Sequence, residues 1–311
     1  MSGKPPRNLE ASIKTRLLAL ARVQREEFQS VLTRYAAERF LYRLSVSPFR
    51  ERFVLKGASL FTLWLGSPHR STRDLDLLGF GSQEVGTITK TFQSLCRQPI
   101  EDDGLLFEPS TVSVTTAREA EKYAGLRVLF RASLGQAIVP MQVDIGFGDV
   151  ITPQASEVEM PSLLDAPRAR LLSYPRETVI AEKCEAMIDL GPGNSRLKDF
   201  YDLRYLAMHF DFEGTVLRNA LAATCEQRGT KVLLLPPPAL TSVFYDDVNR
   251  ARQWRAFWER SGPAADPFVS LEECIRSLNV FLMPPLQAVR GQATFEANWS
   301  HEQVGWSSSL E

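Results

Sequence analysis

Residues 53–78 read FVLKGASLFTLWLGSPHRSTRDLDLL, and the order of events within this stretch decides the fold class. A short apolar run, Phe53 to Leu55, reads as a strand. It leads through Lys56-Gly57-Ala58-Ser59 into a helical segment and returns as the strand-like Asp74-Leu75-Asp76-Leu77. Alternate residues of a strand face opposite sides, so Asp74 and Asp76 project to one face while Leu75 and Leu77 face the core. At a rise of ~3.3 Å per residue the two acidic Cα atoms lie roughly 6 to 7 Å apart, close enough for both carboxylates to grip one Mg²⁺ or bridge two ions. Upstream, Gly57 lets the backbone come close to a phosphate, and the start of the helix from about Ala58 to Leu65 offers N–H groups and a positive dipole end. Ser59 adds a hydroxyl to that cradle. A glycine turn before a helix, or a pair of aspartates at a loop edge, occurs often without function; their combination in one strand–helix–strand unit carries the reading. The predicted chemistry is transfer of a phosphorus-centred group. No Gly-x-x-x-x-Gly-Lys-Ser/Thr run occurs, so this is not a Walker loop.

Outward from this unit, residues 10–47 carry apolar positions at helical intervals, which predicts two or three amphipathic helices bracing the core. Residues 53–150 alternate strand-like and helical patterns, with strands over Thr111–Val114, Leu126–Ala132 and Ile138–Ile145 and a helix near Thr87–Cys96. This predicts an α+β core with a mixed sheet. From Leu163 to about Leu235 the period is helical, and Pro236-Pro237-Pro238 interrupts it, either as a stiff connector or as a surface turn. Helices follow at Phe244–Glu259 and Leu271–Phe281, and the polar tail with Trp299 and Trp306 receives no assignment. The expected organisation is an N-terminal helical region (1–50), the core (51–150), a helical region (151–235) and a C-terminal helical region (239–311).

The chain of 311 residues is 44% apolar and 23% charged, an ordinary soluble globular composition. Cys96, Cys184, Cys225 and Cys274 are scattered and there are three histidines, which argues against a zinc site or a disulfide framework. No run approaches the ~18 apolar residues of a membrane span, and the N-terminal residues lack a signal-peptide core, so a cytoplasmic protein with no membrane partner is expected. The net charge of −1 argues against a broadly basic nucleic-acid coat. It does not exclude a local basic channel, for which Arg168, Arg170, Arg176, Lys183, Arg196, Lys198 and Arg204 are candidates, a solvated face being the alternative.

Two further segments carry chemistry. In Pro140-Met141-Gln142-Val143-Asp144-Ile145, Asp144 faces away from Val143 and Ile145 and could join Asp74 and Asp76 as a third acid, completing a two-ion clamp or taking a proton from the attacking hydroxyl. In the helix Glu177–Leu190, Lys183 shares a stripe with Val179, Ala186 and Leu190, and a lysine so placed needs an anionic partner, a nucleoside triphosphate or a neighbouring acid. The following helix sets Asp199 and Asp202 one turn apart, with Lys198 and Asp202 at the spacing of an i,i+4 pair.

Together the blocks KGASLFTLWLGSPHRSTRDLDLL, MQVDIGFGD, ETVIAEKCEAMI and RLKDFYDL resemble, in identity and order, the AbiEii/AbiGii family of nucleotidyltransferase toxins. The match covers roughly residues 50–210. The resemblance implies a polymerase-beta-like nucleotidyltransferase core and an enzyme that uses Mg²⁺ or Mn²⁺ to move a nucleotide from a nucleoside triphosphate to RNA. For characterised relatives the acceptor is the 3′ end of tRNA. It further implies a toxin of a toxin–antitoxin or phage-defence system with a cognate antitoxin of winged-helix type. The implied catalytic residues are Asp74, Asp76, Asp144, Lys183 and Asp202; the metal ligands are Asp74, Asp76 and Asp144; the nucleotide-binding residues are Lys56, Gly57, Ser59, Thr72 and Lys183. One departure is Ala58, where many members have a second glycine after the lysine. A small-molecule nucleotidyltransferase of the antibiotic-modifying kind, or a binding module without turnover, would use the same acids.

Overall fold

The apolar alternation around Asp74 and Asp76 builds a sheet with Leu75 and Leu77 buried on one face and the two acids partly exposed on the other. The computed structural model describes residues 9–66, 74–116, 125–233, 235–261 and 267–308. They fall into two units, Met1–Gly148 with Ser156–Ser173, and Asp149–Ala155 with Tyr174–Glu311.

The first unit runs α1 (Leu9–Gln24), α2 (Phe28–Ser45), β1 (Phe53–Lys56), α3 (Ser59–Leu65), β2 (Asp74–Gly79), α4 (Val85–Cys96), β3 (Leu105–Thr116), β4 (Gly125–Leu134), β5 (Ala137–Phe147), β6 (Ser156–Glu159) and β7 (Arg170–Ser173). The strands form a seven-stranded sheet in the order β3-β4-β5-β2-β1-β7-β6. It is mixed: β2 runs parallel to β5 and β1 to β7, and the remaining neighbours are antiparallel. Cross-strand register makes Leu55, Leu77, Ile145 and Leu126 one row and Leu75, Val143 and Val128 the next, all buried. Against this face pack Phe40 of α2, which meets Phe107 and Phe130 of the sheet, and Phe92 of α4, which meets Phe130, at ring-centroid distances of 4.8 to 6.1 Å. Each such ring contributes about 1.5–3 kcal/mol by leaving water.

Helix α2 is also tied by charge. Asp103 accepts from Arg39 Nε at 3.0 Å and from Arg43 Nη1 and Nη2 at 2.6 and 3.1 Å, and all three residues are buried. Tyr35 donates its hydroxyl to the Asp103 carbonyl at 2.9 Å. Glu38 accepts from Ser162 Oγ and from the Leu163 N–H, and burial pushes its pKa above the ordinary value.

The second unit contains α5 (Arg176–Leu190), α6 (Leu197–His209), β8 (Phe212–Glu213), α7 (Gly214–Arg228), α8 (Ser242–Tyr245), α9 (Val248–Ser261), α10 (Leu271–Arg290), β9 (Ala297–Ser300) and β10 (Gly305–Ser308). Residues 236–238 lie inside this unit, so the triple proline does not connect the two. The tail left without assignment is the hairpin β9–β10, joined to β8 in a three-stranded sheet. Its tryptophans hold it down: Trp299 Nε1 donates to the Ala207 carbonyl at 2.7 Å and Trp306 Nε1 to that of Phe281 at 2.9 Å.

Three expectations are corrected. The helical reading from Leu163 onward fails at β7 and the loop before it, where Arg170 and Arg168 pair with Glu159 at 3.0 and 3.1 Å instead of lining a helix. The helix expected at Phe244–Glu259 is two, because Asp247 accepts from the N–H groups of Asn249 and Arg250 at 2.8 and 2.9 Å and starts α9 afresh. The last helix passes Phe281 and runs through Pro284 and Pro285, its buried stripe continuing to Leu286 and Ala288. Among the described residues no helix is long and apolar enough to cross a membrane.

Candidate active site

The register of the central strands sets the chemistry. Asp76 lies opposite Lys56 on β1 and opposite Asp144 on β5, and Asp144 lies opposite Arg127 on β4. Residues paired across a sheet share a face, so Lys56, Asp76, Asp144 and Arg127 form one row on the face away from the aromatic core. Asp74, two residues before Asp76, shares that face and pairs with Gln142. The sheet thus gathers Asp74, Asp76 and Asp144 on adjacent parallel strands, with neighbouring Cα atoms about 4.8 Å apart across the ladder. All three acids are partly exposed.

Gly57 follows Lys56 with φ +74°, and a Cβ at this position would fall within the Asp76 carboxylate. The glycine therefore seats Asp76, a role separate from the approach to phosphate expected of it. Ala58 has φ −69° and ψ −22°. That is ordinary helical backbone, so the departure from a second glycine carries no conformational cost. Ser59 begins α3, and its Oγ is enclosed with no hydrogen-bond partner among the described residues. The N–H groups of Leu60 and Phe61, expected to be open to a phosphate, point instead to the carbonyls of Gly57 and Ala58 at 3.3 and 3.2 Å. Thr72 lies outside the described residues.

Asp144 is held. Arg127 Nε donates to Oδ1 and Nη2 to Oδ2, both at 2.8 Å, and Gln142 Nε2 donates to Oδ2 at 3.0 Å. Among the described residues no three side chains of His, Cys, Asp or Glu surround one point as they stand. The donor set still suits a hard divalent cation, since Asp74 and Asp76 offer carboxylate oxygens from one strand face. The unpartnered Ser59 hydroxyl at the head of the same turn suits a phosphate oxygen.

The second unit carries the other candidates. Lys183 Nζ lies 2.6 Å from Asp199 Oδ1 and 2.8 Å from Asp202 Oδ2, and its side chain is 14% exposed. The anionic charge that its apolar setting calls for is thus present on α6, with Asp202 fully buried. A second network sits beside it in α5 and α7: Arg228 binds Asp149 and Glu185, each at 2.8 Å, and Thr230 donates to Glu185 at 2.5 Å.

Arg127, Gln142 and Asp199 were not singled out from the sequence as site residues. Arg127 and Gln142 become visible only once the β4–β5 register is known, whereas the one-turn spacing of Asp199 and Asp202 was a signal that pointed to a shared partner.

The chain matches the family described as "Nucleotidyl transferase AbiEii toxin, Type IV TA system" over residues 39–284. Among solved structures, a protein from H. pylori provisionally described as a nucleotidyltransferase is similar at 16% identity and a TM-score of 0.45, over 85% of this chain and 96% of that one. JHP933 from Helicobacter pylori is similar at 15% identity and a TM-score of 0.43, over 82% and 89%. No curated protein matches the chain.

Proposed function

The chain belongs to the AbiEii nucleotidyltransferase toxin family of type IV toxin–antitoxin systems, and on that premise we propose that it transfers a nucleotide from a nucleoside triphosphate to RNA, at the 3′ acceptor end of tRNA. The observation that carries the reading is the cross-strand row Lys56–Asp76–Asp144–Arg127 with Asp74 on the same face. It sets two adjacent acids between two cations, where a triphosphate and its counter-ion need both.

In this reading Asp74 and Asp76 would hold Mg²⁺ or Mn²⁺, with Asp144 as the third acid of the set, and the chemistry supplied there would be neutralisation of charge on the α-phosphate and the leaving pyrophosphate. Gly57 keeps Asp76 in place, and Ser59 and Lys56 offer a hydroxyl and a cation to phosphate oxygens. The acceptor 3′-hydroxyl attacks the α-phosphorus and the bond to the β-phosphate oxygen breaks. The hydroxyl proton passes to a carboxylate, for which Asp144 is the candidate. Lys183, oriented by Asp199 and Asp202, is the proposed cation for the triphosphate, with Asp202 an essential acid through that orientation. Positioning and electrostatics supply most of the rate. The family implies an antitoxin as protein partner; a winged-helix antitoxin, a cytoplasmic setting and a role in phage defence complete the proposal.

The test is incubation of the purified protein with Mg²⁺, total bacterial tRNA and each α-labelled nucleoside triphosphate in turn. Label entering RNA names the nucleotide and supports the reading. No label with any of the four contradicts RNA as acceptor and favours a small-molecule acceptor.

A further inference from the structure

The Arg127 fork occupies the carboxylate that the proposed reaction would use. Both oxygens of Asp144 accept from one guanidinium at 2.8 Å, and Gln142 adds a third bond. With that fork in place a divalent cation at Asp144 would meet the guanidinium charge. The fork also offsets a local repulsion, because Asp144 lies directly opposite Asp76 and like charges opposite one another destabilise a sheet.

The pair is partly open to solvent. The Arg127 side chain is 45% exposed and that of Asp144 27%, and a half-exposed ion pair is weak enough to exchange partners readily. The planar guanidinium that matches a carboxylate matches a phosphate equally well. Arg127 stands two strands from Asp76 in the same row, about 10 Å between Cα atoms, so its reach spans the ground over Asp144. We propose that Arg127 is a nucleotide-operated keeper of Asp144. Without nucleotide the fork holds Asp144 away from the metal; a triphosphate at Asp74 and Asp76 takes the guanidinium and releases Asp144 to join the site. This inference rests on the functional reading above and adds a nucleotide-binding residue and an order of events to it.

The test reads Mn²⁺ binding by electron paramagnetic resonance on the full chain, with and without a non-hydrolysable nucleoside triphosphate, for the native protein, Arg127→Gln, Arg127→Lys and Asp76→Ala. Arg127→Gln is expected to bind Mn²⁺ several-fold more tightly than native protein without nucleotide. That advantage should vanish when the triphosphate is present, while the KM for nucleotide rises several-fold. Arg127→Lys, which keeps the charge and loses the fork, is expected to fall between the two, and it carries the comparison if Arg127→Gln does not fold. Mn²⁺ affinity unchanged or weakened in the Arg127 variants overturns the keeper role, because a merely structural arginine predicts that result. Native Mn²⁺ binding that survives Asp76→Ala undiminished overturns the metal site itself, a separate failure from that of Arg127.

Discussion

At position 57 the chain requires both a left-handed backbone, φ +74°, and an empty space where a Cβ would stand. Alanine there incurs about 1–2 kcal/mol of backbone strain and displaces the Asp76 carboxylate as well. Gly57→Ala is expected to lower the melting temperature modestly and to remove nucleotidyl transfer; a variant that melts lower but transfers at the native rate would show that the seating of Asp76 is immaterial. The reading of single residues from sequence succeeded where a local period decides orientation. Asp74 and Asp76 share a face because strands alternate, and Leu75 and Leu77 are buried as that alternation requires. It was weaker where the partner is distant along the chain. Nothing near Asp144 announces that Arg127, 17 residues earlier, will hold both its oxygens. Nor does the Lys183 stripe reveal whether its anion is a ligand or the pair Asp199 and Asp202 on the next helix.

Among the elements, α5 and α7 are fastened by Arg228, whose side chain is 13% exposed while its partners Asp149 and Glu185 are 9% and 3% exposed. Burial opposes the Arg228 charge, and the surrounding carboxylates more than compensate, raising its pKa above the already high arginine value. Arg228→Ala removes the cation shared by two nearly buried carboxylates and is expected to cost about 3–5 kcal/mol in chemical denaturation; a loss below about 1 kcal/mol, the figure for an exposed pair, would contradict the burial argument. Long periodic elements were legible for the same reason that they are stable. The helices α4, α5 and α6 and the strands β4 and β5 repeat an apolar face over many residues. The strands β6, β7 and β8 have four, four and two residues, too short for a period to emerge. The helix α10 runs past the Leu271–Phe281 expected for it, because packing of Pro285 and Leu286 overrides the usual tendency of proline to end a helix.

Across the whole molecule the four cysteines are buried thiols. Burial pushes Cys96 and Cys274 up to about 12 and Cys225 up to about 11, and raises Cys184 as well. Since the thiolate is the reactive form, a disulfide reagent at neutral pH is expected to modify none of them quickly in the native protein and all four after denaturation; fast native labelling would contradict their burial. Glu38 gives the fold a pH signature. Its raised pKa means that, from the ordinary glutamate value of about 4.3 up to the folded one, the folded state keeps a proton that the unfolded chain has lost. Stability from this group therefore falls as pH rises through that window. The stability of Glu38→Gln relative to native protein should rise with pH there, measured by denaturant titration; a difference independent of pH would contradict it. The α+β class was legible in residues 53–150, whereas the hairpin β9–β10 was not, nor was the division into two units. It depends on residues 156–173 returning to complete the sheet of the first unit.

The central claim is that the face carrying Asp74 and Asp76 performs nucleotidyl transfer, and the most direct measurement is the rate of label transfer from α-labelled nucleoside triphosphate to tRNA by native protein and by Asp76→Asn, with melting temperatures recorded for both. The account predicts that transfer is lost by orders of magnitude while the melting temperature stays near native, since a partly exposed acid contributes little to stability. Transfer by Asp76→Asn at a near-native rate would contradict it.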